Sequence, residues 1–217
     1  MLNADLSLRV VIDTGAVPWT PSPEPGVARR MLERHGPESG RATSIVRYAA
    51  GATFPIHEHP LGEEIFVLEG AFSDHLGDYP AGTFVLNPPG SRHAPQSASG
   101  CMLFVKLCQY AGEGRERRVI DTARMEWRPW LRPGTWAKDL YRDERHREYI
   151  TLLKWDAGLV YPHHTHRGGE EILVLEGTLA DGAGSYPRGT WIRDPKMSAH
   201  APFTREGCVF WMKLGGF

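Results

Sequence analysis

Residues 51–93 read GATFPIHEHPLGEEIFVLEGAFSDHLGDYPAGTFVLNPPGSRH, and residues 158–200 read GLVYPHHTHRGGEEILVLEGTLADGAGSYPRGTWIRDPKMSAH. His57, His59, Glu63 and His93 in the first stretch have His164, His166, Glu170 and His200 as counterparts, each 107 positions on. Three imidazoles and a carboxylate, at one spacing and written twice, predict two metal sites.

Outward from these stretches the repeat continues. Ser44 to Leu107 aligns with Thr151 to Leu214 without a gap and with 28 of 64 positions identical, which marks a tandem duplication. Upstream the offset becomes 108. Val11-Ile12-Asp13-Thr14 returns as Val119-Ile120-Asp121-Thr122, and Trp19, Pro21, Gly26 and Leu32 as Trp127, Pro129, Gly134 and Leu140. The one-residue difference falls between about residues 34 and 44, where 35–40 read as a turn. The polar, glycine-bearing stretch 110–118 sets the boundary, giving an N-terminal domain over 1–109 and a C-terminal domain over 110–217.

Each copy reads as β structure. Strands are predicted at 6–14, 42–49, 83–86 and 101–107, and at 149–155, 190–192 and 208–214 in the second copy. Ile65–Leu68 and Ile172–Leu175 are apolar runs ending in Glu-Gly, which predicts a strand entering a turn. Turn signals every 8–12 residues, without a helical period, predict an all-β antiparallel sandwich or barrel.

Residues i and i+2 of a strand share a face, so His57 and His59, or His164 and His166, can project together. Imidazole and carboxylate ligands suit Zn, Fe, Mn, Co or Ni, and the lack of thiolate argues against a cysteine-rich structural zinc. Four protein ligands leave two positions on a six-coordinate metal and none on a four-coordinate zinc. More than half of the aligned positions differ while all eight candidate ligands stay, and no turn requirement explains a retained histidine. Glu64 and Glu171 should point away from the ligands, as surface groups first or as groups that support the ligands from behind. His75 and His163 read as surface or rim groups. The copies differ where Phe84, Leu86, Asn87 and Phe104 become Trp191, Arg193, Asp194 and Trp211, and some of the differing positions are expected to line the cavities.

Composition narrows the classes. Net charge is −1 and the pI about 6.8, so no nucleic-acid surface is expected. Cys101, Cys108 and Cys208 are odd in number and form no CxxC, which argues against a disulfide framework and for the cytoplasm. No basic and apolar leader opens the sequence, and no apolar run approaches the roughly 20 residues that span a bilayer, so no membrane partner is expected.

The pattern G(x)5HxH(x)3E(x)6G followed by G(x)5PxG(x)2H resembles the double motif of the cupin superfamily. The first copy carries both parts, and the second has Met197 in place of the later glycine, which predicts a reshaped turn. The phrases HxHxxGEExxVLEG, YPxGT, SxHxP and GCxxxxKL resemble the ChrR-type cupins in particular. That resemblance covers nearly the whole chain, twice. It implies two tandem cupin (jelly-roll, RmlC-like) barrels, each with a divalent transition metal held by the residues above, Zn or Fe first and Mn, Ni or Co next.

The ChrR-type group includes dihydroxyacetophenone-type dioxygenases and the cupin domain of a zinc-binding anti-sigma factor. By that resemblance the chain is expected to be a non-haem iron dioxygenase acting on a small diketone or aromatic ketone. The alternative is a zinc-binding regulatory or sensor protein. No helical anti-sigma segment precedes Leu6, so direct sigma-factor binding is not expected. A small-molecule ligand or substrate is the expected partner, and the resemblance leaves room for a homodimer.

Overall fold

A computed structural model of the protein describes residues 1–36, 40–110 and 114–216. Part of the turn at 35–40 and part of the boundary stretch at 110–118 lie outside the described residues. Nearly all regular structure is β strand, and one short 3-10 turn, Thr122–Arg124, interrupts it among the described residues.

The first compact unit comprises Met1–Ala4 and Val17–Arg124. Its main sheet runs, in spatial order, Arg118–Asp121, Thr83–Asn87, Glu63–Asp74, Cys101–Leu107, Ala42–Tyr48, Val27–Arg34 and Thr20–Pro21, all antiparallel. The far half of Glu63–Asp74 pairs instead with Gly77–Pro80. A separate ribbon pairs His57–His59 with Ser91–His93. The second unit comprises Asp5–Ala16 and Met125 onward. Its sheet repeats the order as Val10–Asp13, Thr190–Asp194, Glu170–Asp181, Cys208–Leu214, Glu148–Trp155, Thr135–Asp143 and Arg128–Pro129. His164–His166 pairs with Ser198–His200 in the matching ribbon. The two units thus share one antiparallel strand order.

The repeats as written and the units in space differ by one strand. Val10–Asp13 belongs to the first repeat but pairs with Thr190–Asp194 in the second unit. Its counterpart Arg118–Asp121 belongs to the second repeat but pairs with Thr83–Asn87 in the first. The 109/110 division therefore follows the duplication, and the compact units follow the exchanged edge strands. The strand predicted over 6–14 is shorter, Val10–Asp13.

The Glu-Gly pairs at Gly70 and Gly177 do not begin turns. They lie inside single 12-residue strands, Glu63–Asp74 and Glu170–Asp181. A β-bulge lies just before each pair, at Leu68 and Leu175, where the ladder to Cys101–Leu107 or Cys208–Leu214 slips by one residue. Gly70 has φ +72°, and a Cβ there would stand 2.1 Å from the Gly100 carbonyl oxygen. Gly177 meets Gly207 in the same way. Only glycine fits so close a backbone approach.

Inside each barrel the inward residues form one apolar cluster. In the first unit it includes Val46, Ile65, Val67, Phe72, Val85 and Leu103, and in the second Leu153, Trp155, Ile172, Val174, Phe210 and Met212. Fully burying such a side chain contributes about 1.5–3 kcal/mol. Alternation puts Glu64 and Glu171 on the opposite face, as expected, but that face is not wet: they are 2% and 0% exposed. Glu64 lies across from Lys106 and Glu171 across from Lys213, both lysines also buried, and Trp191 Nε1 donates to Glu171 at 2.8 Å. These buried acids face charge partners and an indole rather than solvent. Cys101 and Cys208 are buried free thiols.

Candidate metal centres

The ribbon His57–His59 is too short to be a core strand, and its function is placement. His57 pairs across from His93 and His59 across from Ser91, so three imidazoles meet at one end of the barrel. Their ligand atoms all lie within 4.8 Å of one another, and His164, His166 and His200 repeat the cluster. Glu63 opens the long strand next to them. Its Oε2 lies 3.4 Å from His59 Nε2 and 3.3 Å from His93 Nε2. Glu170 Oε2 stands 3.4 Å from His166 Nε2 and 3.6 Å from His200 Nε2. All eight candidate residues therefore assemble in two groups of four.

The outer hydrogen bonds decide which nitrogen faces inward. His57 Nδ1 donates to the Pro55 carbonyl at 2.9 Å, and His164 Nδ1 to that of Pro162 at 2.9 Å. His93 Nδ1 meets Asp74 Oδ2 at 3.2 Å, and His200 Nδ1 meets Asp181 Oδ2 at 3.4 Å. A proton held on Nδ1 leaves the Nε2 lone pair for the centre, the tautomer a cation needs.

Asp74 and Asp181 are themselves held. Tyr79 donates to Asp74 at 2.8 Å and Tyr186 to Asp181 at 2.6 Å. Arg117 Nη2 donates to Tyr79 at 2.6 Å, and Arg9 Nη2 to Tyr186 at 2.9 Å and to Asp181 at 2.9 Å. Both arginines ride beside the exchanged edge strands. Burial raises the Asp74 carboxyl, but hydrogen bonds from His93 and Tyr79 outweigh it and bring it to about 2.

The donor set fits a divalent cation. His59 and His93 point Nε2 atoms at each other across 2.9 Å, and His166 and His200 across 3.0 Å, with acceptor lone pairs converging beside a carboxylate. Glu170 Oε2 is buried and accepts no hydrogen bond among the described residues, an orphan a cation would satisfy. Burial raises the Glu170 carboxyl well above its usual range, and neighbouring Asp194 raises it further. Burial also drives His166 down to about 3, with His200 and His164 adding to the effect. In the first unit burial lowers His93, but the Glu63 and Asp74 carboxylates outweigh it and leave His93 raised. His59, His166 and His200 are thus held toward the neutral form a metal needs, while His93 keeps its proton to higher pH.

A cavity of about 530 Å³ opens onto the second cluster, with Trp155, Tyr161, Phe210 and Met212 among its walls and His164, His166, Glu170 and His200 at its floor. Tyr161 stacks on Trp155 at 5.3 Å and meets His164 edge-on at 5.0 Å. The exposed Arg147 and Arg167 also border it. A second cavity of about 470 Å³ lies behind His200, lined by Arg9, Asp181, Asp194 and Ser198. Of the differing positions, Asp194 reaches that second cavity, while Trp191, Arg193 and Trp211 line neither.

Met197 keeps the turn the motif describes. Its φ is +65°, against +80° for Gly90, and its N–H donates to His166 O at 2.7 Å as Gly90 N–H does to His59 O at 2.9 Å. The turn is not reshaped; a side chain is simply carried in left-handed backbone. Sequence reasoning missed Asp74, Asp181, Tyr79, Tyr186, Arg9 and Arg117. All are retained between the copies, so the repeat comparison held the signal. His75 and His163 are exposed.

A family model described as the ChrR Cupin-like domain matches residues 7–111 and, again, residues 115–217. No curated protein matches the chain. Among solved structures, a candidate dioxygenase from Nostoc punctiforme PCC 73102 is 19% identical with a TM-score of 0.80, over 96% of this chain and 82% of that one. A candidate glyoxylate-induced protein from Pseudomonas aeruginosa is 14% identical with a TM-score of 0.75, over 94% and 88%. Bacillus subtilis oxalate decarboxylase, described with Mn(II) centres, is 15% identical with a TM-score of 0.63, over 94% and 76%. At these identities the likeness is one of fold.

Proposed function

The chain belongs to the ChrR cupin-like domain family, and from that premise we propose that it is a metal-dependent dioxygenase of the non-haem iron type acting on a small diketone or aromatic ketone. The observation that carries this reading is the aromatic-walled cavity of about 530 Å³ over the second cluster. That volume suits a small organic ligand, with apolar walls and a few convergent polar groups. His164, His166, Glu170 and His200 would hold the metal at its floor, and His57, His59, Glu63 and His93 would hold one in the first unit.

A bound metal would supply Lewis-acid polarisation of the ligand oxygens and activation of dioxygen. The chain's own residues do the rest. The stacked Trp155 and Tyr161 offer a flat face to an aromatic ring. Phe210 and Met212 keep water from the floor, and Arg147 and Arg167 can receive an anionic substituent at the border. Asp181 keeps the His200 proton on Nδ1, so that Nε2 is held for the metal. Support from outside the chain is the fold shared with a candidate dioxygenase.

The test is oxygen uptake by anaerobically iron-loaded protein across a panel of aryl ketones and β-diketones. Uptake that tracks substrate loss is the expected result, and no turnover across the panel overturns the reading. A second reading, a zinc-holding regulatory protein, draws support from the four ligands gathered at each cluster, enough to close a tetrahedral zinc. Metal content of protein purified without a His tag or added metal separates the two.

A further inference from the structure

Asn87 and Asp194 hold the same place in the two repeats, 107 positions apart, and both are buried, at 3% and 5% exposure. They treat the neighbouring ligand carboxylate differently. Asn87 Nδ2 donates to Glu63 Oε2 at 2.9 Å, while its own Oδ1 receives the Arg117 Nε hydrogen at 3.2 Å. Asp194 has no hydrogen to give. Its Oδ1 takes Arg9 Nε at 2.7 Å, and Glu170 Oε2 is left without a hydrogen bond among the described residues. Ligand atoms of Glu170, Asp194 and His200 lie within 4.8 Å of one another, so an extra carboxylate stands directly beside the cluster.

With every carboxyl ionised, the state a bound cation would favour, the formal charges around each cluster differ by one. Glu63, Asp74 and Arg117 sum to −1 in the first unit, and Glu170, Asp181, Asp194 and Arg9 sum to −2 in the second. Two physical effects act in the same direction. An amide N–H on Glu63 Oε2 occupies a lone pair the metal would use and weakens that oxygen as a donor. A second buried carboxylate beside Glu170 deepens the negative potential where the cation sits, with little screening by water.

We propose that Asp194 makes the second unit the tighter metal site, so that the two sites fill and empty in sequence rather than together. The inference rests on the reading that both clusters bind metal. Asp194 and Asn87 are the residues that set the difference, since the eight ligands are the same in kind.

The test uses the full-length chain, stripped of metal and titrated with Zn(II) against a competing chelator. Wild type should show two classes of one zinc each, separated by about ten- to a hundredfold, the range that residues around metal ligands command. Asp194→Asn should bring the tighter class down to the weaker one. Asn87→Asp should tighten the weaker class by a similar factor, a gain that mere structural damage cannot produce. Melting of the metal-free variants confirms that each is folded. Two classes of equal affinity in wild type overturn the proposal, as does an Asp194→Asn protein with the wild-type titration or an Asn87→Asp protein that binds more weakly. Failure of wild type to bind zinc at all overturns the underlying metal reading as well, so the two failures are distinguishable.

Discussion

In the first unit Phe72 stands beside His93, 6.1 Å between ring centroids, and stacks on Tyr79 at 5.7 Å, whereas in the second unit its counterpart Leu179 lines an open cavity. Likewise Asn87 feeds a hydrogen to Glu63 where Asp194 faces Glu170 with a second negative charge. The groups that would touch a metal are the same in both units, and the groups around them are not. Duplication kept the two sets of candidate ligands, while charge and wall shape diverged around them.

The largest effect expected on this comparison comes from removing one ligand at a time. His57→Ala and His164→Ala should each lower bound metal by about one ion per chain while sparing the other site, as elemental analysis would read. Loss of both ions from one substitution would show that the two sites are not independent.

Acid should separate the units next. His166 sits at about 3 in the folded protein, below the unfolded value near 6.5, and burial also lowers His200. The unfolded chain then binds more protons, so metal-free stability of the second unit falls as pH drops from about 6.5 toward 3, by up to roughly 1.4 kcal/mol per pH unit for one such group. His93 is raised instead, and its contribution is fully present below about 6.5 and lost as pH rises through its folded value. Glu170 and Asp194, both raised by burial, take up protons in the folded second unit and oppose that loss, while His59, lowered by burial, adds a loss in the first. The His166 contribution is therefore isolated by comparing wild type with His166→Ala. Tryptophan fluorescence reports mainly the second unit, since Trp19 alone of the seven tryptophans lies in the first. A His166→Ala protein whose fluorescence melt keeps the wild-type pH dependence between pH 7 and 5 would contradict the assignment.

Arg9→Ala should cost more than Arg117→Ala. Arg9 pairs with Asp181 at 2.9 Å and Asp194 at 2.7 Å, while Arg117 approaches Asp74 only to 4.0 Å. Removing one partner of a buried pair costs about 3–5 kcal/mol. Arg9 is about a third exposed, so roughly 1–3 kcal/mol is expected there and about 1 for Arg117, by denaturant unfolding. The smallest effect falls at the turns. Met197→Gly should stabilise by about 1 kcal/mol, because it relieves left-handed backbone at an exposed residue, and Gly90→Met should destabilise by a similar amount.

The fold was legible because turn chemistry and a twofold repeat pointed to the same strands, and the eight candidate ligands because three histidines and a glutamate have no packing reason to persist at four matched positions. Gly70 misled because Glu-Gly after an apolar run looks like a turn. What requires a glycine inside that continuous strand is the Gly100 carbonyl, 30 residues away and invisible to local pattern. Glu64 and Glu171 misled because alternation assigns a face but not whether that face is wet. Arg9 and Arg117 were retained at an offset of 108, yet their role depends on which sheet edge each neighbouring strand joins, a tertiary fact.

The exchanged strands also make the duplication hard to undo. Along its length the chain passes from one unit to the other three times, after Ala4, Ala16 and Arg124. A half-chain cut at 109/110 would carry Arg9 without Asp181, and Asp74 without Arg117. It would also leave the Thr83–Asn87 edge bare, a template for pairing with another copy. The unit of inheritance here is one repeat, but the smallest piece able to assemble a whole site is two.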